Sequence, residues 1–354
     1  MGATDRYASA ALTRFAVELL QTVGMDAVLA EAVAQTLVEG DLMGHDTHGL
    51  ALLAPYVKEI EKGTMALTGA PEVLSDHGAS LLWDGRRLPG PWLVLNGIDA
   101  LVPRARQYGS ATLVIRRSHH IACLATYLLR ATEAGFMLLL ASSDPAVQSV
   151  APHGGTRAVF TPNPIAAGIP TSTTPFLIDI SSSITTNGMS ARLHKAGRQF
   201  DEACMLDAEG HPSRDPGVLA TNPPGTIMPL GGLSSGHKGF GLALLVEALT
   251  GGLAGHGRAD PPDGWGATVF MSLYDPAAFG GTADFFRQTD WLGQACRSNP
   301  PQPGVDAVRL PGDRGLSRMK AQGRDGIVLH PTIPPMLTEC AQRYDMQFPA
   351  PLEN

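Results

Sequence analysis

Apolar residues recur at three- and four-residue intervals from Ala10 to Val23 and again from Ala27 to Leu42, the spacing of helices that bury one side. Asp26 stands where the second of these needs an N-cap. Beyond the segment His45 to Gly49, Leu50, Leu53, Val57 and Ile60 share one side of a further helical stretch, and Gly63 after Lys62 is a normal stop. The pattern then changes. Leu95 to Gln107 predicts a helix kinked or split at Pro103, Ala111 to Ile115 a strand, Ala122 to Thr132 a helix and Phe136 to Ala141 a second strand. Strand, helix, strand of these lengths predicts a βαβ unit and a sheet with helices on its face. Arg157 to Phe160 and Pro175 to Ile180 predict further short strands, and Gly239 to Leu253 a long apolar helix buried on most sides. Gly255 to Gly266 and Ser298 to Gly304 are Gly- and Pro-rich connections. A strand-like Ala307 to Leu310 and a terminal helix, Ile333 to Arg343, complete the chain, which has no internal repeat.

Composition narrows the class. With 354 residues, 44% hydrophobic and 17% charged, the chain can bury a large core in two or more lobes. Net charge is −7 and no basic run exceeds a pair, which argues against a nucleic-acid partner. Cys123, Cys204, Cys296 and Cys340 lie far apart, giving neither a disulfide framework nor a zinc knuckle. The start carries Asp5, Arg6, Arg14 and Glu18, too charged for a signal peptide, and Arg6 breaks the myristoylation pattern after Gly2. No apolar run reaches the ~20 residues that span a bilayer. A cytoplasmic protein with no membrane partner is expected.

Three polar clusters could carry chemistry. His45-Asp46-Thr47-His48-Gly49 lies between helices, and its histidines are three apart, so one helical turn would set both on one side beside a carboxylate. Two histidines make an incomplete ligand set, so the cluster reads as a polar helix start that holds a substrate carboxylate, against a plain capping turn. Ser118-His119-His120 follows a strand, where ligands bind in open α/β proteins, and histidine is a natural proton donor near neutral pH. A surface turn is the plain alternative. Ser235 to Gly241 opens the apolar helix with Lys238 among glycines, a weak anion-binding signal beside a solvated turn. The dinucleotide fingerprint fails, because Gly239 and Gly241 lie inside a helical run with Leu244 in place of the third glycine. A phosphate loop is absent too.

Taken together, GHDTHG (44–49), SHHIACLATYLLRATEAGF (118–136), SSDPAVQSVAPHGG (142–155), TPNPIAAGIP (161–170), FLIDISSS (176–183), GHKGFGLALLVEALTGGLAG (236–255) and RLPGDR (309–314) resemble the malate/L-lactate dehydrogenase type 2 family. That group includes ureidoglycolate and sulfolactate dehydrogenases, diketogulonate reductase and piperideine/pyrroline-2-carboxylate reductase. The resemblance implies a non-Rossmann α/β fold that binds NAD or NADP. It implies a helical part at residues 1–75, an α/β cofactor-binding region at 76–295, and a segment at 296–354 that returns to the helical part. A homodimer is implied as well. His120 falls on the acid/base histidine and His48 on the substrate-loop histidine, with Thr47 and His119 beside them as substrate contacts. Ser143, Asn163, Asp179, Ile180, Ser181, Lys238, Pro311, Gly312 and Asp313 fall on cofactor-contacting positions. No residue is assigned to a metal.

The departures lie on the substrate side. Leu52 stands where an arginine commonly grips a carboxylate, a job no isobutyl group can do. Thr47 replaces serine, His119 replaces asparagine, Thr161-Pro162 replaces Gly-Thr, and Met189 replaces lysine. The expected activity is hydride transfer to or from a small 2-oxo, 2-hydroxy or cyclic 2-imino acid, with less charged substrates favoured unless Arg116 or Arg117 restores the missing cation. Two other readings stay open: a nucleotide-binding relative without turnover, and a metal-dependent hydrolase or lyase using His45, His48 and His120. Substrate panels separate the first from an enzyme, and metal analysis separates the second.

Overall fold

The computed structural model describes residues 5–261 and 264–353. The other residues fall within the expected N-terminal part, the Gly255–Gly266 connection and the C-terminal segment, and lie outside the described residues. Helices α1 (Ser9–Thr22), α2 (Ala27–Met43) and α3 (Leu53–Glu61) come first. Strands β1 (Glu72–Asp76) and β2 (Ser80–Asp84), helix α4 (Gly90–Tyr108), β3 (Ser110–Ser118), α5 (Leu124–Glu133) and β4 (Met137–Ser143) follow. Next are β5 (Pro164–Ile169), β6 (Phe176–Ser181), α6 (Asn187–Lys195), the short β7 (Met205–Leu206), β8 (Pro212–Ser213) and β9 (Thr226–Ile227), and α7 (Gly232–Glu247). The chain ends with β10 (Ala267–Tyr274), α8 (Thr282–Arg297), α9 (Asp313–Asp325) and α10 (Ile333–Gln342).

Seven strands form one sheet in the order β1-β2-β3-β10-β4-β5-β6, and β8-β7-β9 form a small second one. The expected βαβ unit exists in modified form. Strands β3 and β4 run in the same direction, but β10 lies between them, antiparallel to both. Only β2 and β3 pair in parallel, so the sheet is mostly antiparallel, unlike a doubly wound nucleotide-binding sheet. Alternation assigns the two faces. Leu113, Ile115, Leu138, Leu140, Val269 and Met271 join the large core with α4 and α5. Val114, Ala141 and Phe270 turn the other way and pack with Val246 and Ala254, at and after the end of α7. Strand β10 is therefore covered on both sides and nearly all buried, which erases the two-residue alternation that marks a strand in sequence.

Several expectations need correction. Pro103 sits inside α4 without splitting it. Arg157 to Phe160 makes a single bridge, Phe160 to Val150, and Ala307 to Leu310 forms no strand. Asp26 is the N-cap residue of α2, but its carboxylate makes no capping bond. Helix α7 begins at Gly232 and continues into a π-helical turn, Ala248–Gly252. Its buried side holds Gly236, Gly239, Ala243 and Val246, small residues that let it lie close to the sheet. Its leucines point outward, with Leu233 59% and Leu244 49% exposed, so it is not buried on most sides.

The C-terminal helices return to the N-terminal ones, α9 against α2 and α10 against α3. Strand β1 spans the expected boundary at residue 75, joining the sheet on both sides of it. Helix α9 buries only Gln322, and that one side chain ties three backbones together. Its amide donates to the carbonyls of Asp41 (2.9 Å) and Leu42 (3.0 Å) at the end of α2, and its oxygen accepts the Val328 N–H (2.9 Å). Loss of buried hydrogen bonds costs about 1–3 kcal/mol when partners are left unsatisfied. Gln322→Ala is expected to lower the unfolding free energy from urea titration by an amount in that range, and an unchanged value would show that the α2 carbonyls do not need it.

Candidate active site

One end of the large sheet opens into a cavity of 540 Å³. The ends of β3, β4 and β6 and the starts of β5 and β10 meet there, because β5 and β10 run against the other three. Its walls carry His45, Thr47, His48, Leu52, His120 and Trp265 together with Asp144, Asp179, Ser181 and Met189. The volume suits a ring-sized group plus a small acid, and its wall mixes apolar surface with a few convergent polar groups.

The turn bearing His45 and His48 is fixed from beneath. Helix α2 ends at Gly44 in a left-handed conformation, and the chain folds back so that Asp41 Oδ2 accepts the Leu50 N–H at 2.7 Å. Gly49 lies so close that a Cβ there would sit 2.5 Å from the Asp41 carboxyl. Burial pushes the Asp41 carboxyl up to about 7. Asp46 accepts from Arg192 of α6 at 2.8 Å. Thr47 Oγ1 and His48 Nδ1 lie 2.9 Å apart, which fixes the His48 ring.

His120 is held more tightly. Its backbone corner is clamped by Leu88, whose carbonyl accepts the His119 N–H, and by Gly90, where a Cβ would fall 2.4 Å from the His120 oxygen. His120 Nδ1 lies 2.9 Å from the Tyr56 hydroxyl and 3.2 Å from the Ala122 N–H. Both partners occupy Nδ1, so Nε2 is the ring nitrogen left for a ligand. Either tautomer is satisfied. Nδ1 accepts the Ala122 N–H when the proton is on Nε2, or donates to Tyr56 while that hydroxyl donates to the His120 carbonyl at 3.2 Å. The Trp265 ring lies 4.8 Å from His120, and Arg87 donates to the Trp265 carbonyl at 2.7 Å. The His48 and His120 rings stack at 5.9 Å.

Burial sets the charge state. It lowers His48 to about 4, helped by His45 and Arg192, and drives His120 well below the ordinary histidine value, helped by His48 and His119. Burial also raises Asp144 and Asp179, and it raises the Cys123 thiol with the Asp179 charge adding to the effect. No Lys or Arg lines the cavity among the described residues. Arg116 and Arg117 do not supply the missing cation, since both are bound to Asp84, each at 3.0 Å. Burial alone would raise Asp84, but the Arg86 N–H and these two arginines hold it low.

The expected site residues therefore divide. His48, Thr47, His120, Asp179 and Ser181 meet at the cavity. His119 does not. It is fully buried behind the wall, edge-on to Tyr56 and Trp265, with neither ring nitrogen bonded among the described residues, so a substrate contact is not available to it. Ile180 points to the other face of β6, as strand alternation requires between Asp179 and Ser181. Ser143 and Asn163 both donate to Glu247 Oε1 at 2.8 Å, and Arg258 donates to the same oxygen, so they brace the wall without lining the cavity. Lys238 is exposed in the second turn of α7, not at its start. Pro311 accepts the Leu177 N–H, which sets Gly312 and Asp313 beside the outer edge of β6, where Asp313 also borders a surface groove with Arg309, Arg314 and Arg318. Sequence reading missed Tyr56 and Trp265, both apolar in pattern. Tyr56 falls on the buried side of α3, and only its distance to His120 reveals it.

NMR titration checks the charge states. His48 is expected to titrate near pH 4 and His120 well below the ordinary histidine value, whereas a transition near 6.5 in either would contradict this desolvated site. A lowered histidine means the unfolded chain binds the extra proton, so this pair adds stability as pH rises through the interval from about 4 to 6.5.

Residues 7–337 match the family model for malate/L-lactate dehydrogenase. The chain is 30% identical to an L-lactate dehydrogenase of Cupriavidus necator, over 95% of this chain and 97% of that one. It is 30% identical to a (2R)-3-sulfolactate dehydrogenase (NADP(+)) of Chromohalobacter salexigens, over 87% and 90%. Among solved structures, malate dehydrogenase from Entamoeba histolytica superposes with a TM-score of 0.91 at 25% identity, covering 98% of this chain and 99% of that one. The Δ1-piperideine-2-carboxylate reductase from Pseudomonas syringae superposes at 0.82 and 25% identity, covering 96% and 100%. The chain belongs to the malate/L-lactate dehydrogenase family and is an oxidoreductase.

Proposed function

We propose that the protein transfers a hydride between a nicotinamide cofactor, NAD or NADP, and the C2 atom of a small 2-oxo, 2-hydroxy or cyclic 2-imino acid, with His120 as the proton donor and acceptor. The observation that carries this reading is the engagement of Nδ1 of His120 by Tyr56 and Ala122, which leaves Nε2 to the cavity. When bound, the reduced nicotinamide supplies the hydride. The donor set fits that group: Asp179 and Ser181 line the wall, and Arg309, Arg314 and Arg318, beside the Pro311-Gly312-Asp313 turn at the other end of β6, form a separate basic groove of the kind that suits phosphates. Ser143 and Asn163 then act on the cofactor only through the wall that they brace.

His48 and Thr47 orient the substrate in this reading. A neutral His120 is ready to take a proton from a 2-hydroxyl group, whereas reduction needs the ring protonated first. Reduction is expected to slow with rising pH while oxidation does not, because the desolvated imidazole binds its proton weakly. His120→Ala is expected to cut turnover by about 10²- to 10⁴-fold with cofactor binding little changed, and retained turnover would remove the role. Leu52 and the absence of a lining cation among the described residues favour substrates with a single carboxylate. Leu52→Arg is expected to raise kcat/KM for a dicarboxylic 2-oxo acid by roughly tenfold or more, the worth of a charge-assisted hydrogen bond, and no gain would sink the specificity argument.

The working unit in this reading is a homodimer that covers Leu233, Leu244, Leu245 and Leu253, which stand exposed along and beyond α7. Leu244→Glu with Leu253→Glu is expected to shift the light-scattering mass toward the 37.2 kDa of one chain, and an unchanged mass would place the contact elsewhere.

A further inference from the structure

We propose that His45, Cys123 and Asp179 form a binding site for a zinc-like divalent cation on the wall of the catalytic cavity. Their ligand atoms all lie within 4.8 Å of one another, and no other three His, Cys, Asp or Glu side chains meet in this way among the described residues. Three separate elements bring them together. His45 comes from the turn that closes α2, where its N–H donates to the Gly40 carbonyl at 2.8 Å. Cys123 is the residue that starts α5. Asp179 sits on β6, its Oδ2 pinned by the Ala125 N–H at 3.0 Å, so Oδ1 is the oxygen left to bind. The spacing in sequence gives no hint of the set, and it differs from the His45, His48 and His120 trio that the sequence suggested. In the fold His48 and His120 stack on each other and belong to the substrate side.

The donors define the ion. One imidazole, one thiolate and one carboxylate suit zinc and its borderline neighbours, whereas magnesium and calcium take oxygen ligands. Charge closes as well. Binding M²⁺ forms N–M, S–M and O–M bonds and releases to solvent the thiol proton and any proton on the carboxyl, leaving a thiolate and a carboxylate against two positive charges. All three residues line the cavity, so a tetrahedral ion would turn its fourth position into the space where substrate and cofactor meet. Occupancy therefore blocks hydride transfer. That consequence rests on the proposed dehydrogenase function, but the binding itself does not.

Cobalt(II) titration of the metal-free protein tests the site. One equivalent per chain is expected to produce a thiolate-to-cobalt charge-transfer band in the near ultraviolet, which zinc then bleaches. Cys123→Ser is expected to abolish the band, whereas the double variant Cys204→Ser with Cys296→Ser keeps it. Asp179→Asn and His45→Asn are expected to weaken zinc binding by about tenfold or more, since loss even of an outer partner costs about that much. His45 is only partly buried, so its variant tests the site even if Cys123→Ser fails to fold. No band in the wild type, a band that survives Cys123→Ser, or unchanged affinity in His45→Asn overturns the proposal. Zinc inhibition of hydride transfer, reversed by a chelator and absent in Cys123→Ser, is the functional counterpart. Because the band needs no turnover, an inactive protein that shows it would refute the dehydrogenase reading and leave the metal site standing.

Discussion

The site turns on one small set of hydrogen bonds, those that occupy Nδ1 of His120. A buried imidazole can turn in its pocket unless something holds it, and here Tyr56 and the Ala122 N–H take one ring nitrogen from behind. The other nitrogen then has a fixed direction into the cavity. Much of the surrounding architecture serves that placement. Tyr56 is fully buried on α3, Gly90 lets the start of α4 press on the His120 backbone, and Arg87 holds Trp265 against the ring. Removing solvent from such a group disfavours its charged form, so the same packing that positions the histidine also keeps it neutral.

Charge is distributed unevenly around the cavity. Histidines and carboxyl groups line the cavity, while the nearby arginines are committed elsewhere: Arg116 and Arg117 to Asp84, Arg192 to Asp46, Arg258 to Glu247. With Leu52 on the wall, a ligand meets apolar surface where a fixed positive charge would have selected a second carboxylate. The basic residues that remain available, Arg309, Arg314 and Arg318, border a separate groove at the start of α9, better placed for phosphate than for a small acid. Substrate and cofactor ends of the proposed site thus differ in electrostatics as well as position.

How much of this could be read from the chain follows from what each element does. Helices α1 and α3 were legible because each buries one side, α2 because its apolar spacing is helical although most of it is buried, and β3, α5 and β4 because their apolar runs are short and bounded. Strand β10 was not, since both its faces are covered and its pattern is continuous. Helices α8 and α9 escaped notice because they bury almost nothing, Gly293 in one and Gln322 in the other. At the site, the glycine-flanked histidines stood out, and His48 and His120 do converge. Sequence order alone could not show that His119, adjacent to His120, faces the opposite way into the core, or that Ser143 and Asn163 are tied to Glu247. Nor could it bring together His45, Cys123 and Asp179, which no spacing rule connects.

The central claim is that this cavity carries a hydride to C2 of a small acid. Incubation with a reduced nicotinamide cofactor deuterated at C4, across a panel of 2-oxo and cyclic 2-imino acids, followed by mass spectrometry of the products, tests it most directly. The account predicts deuterium at C2 of at least one product, with the weakly charged acids labelled fastest. Cofactor bound at the site with no label transferred to any acid of the panel, or label found at another carbon, would contradict it.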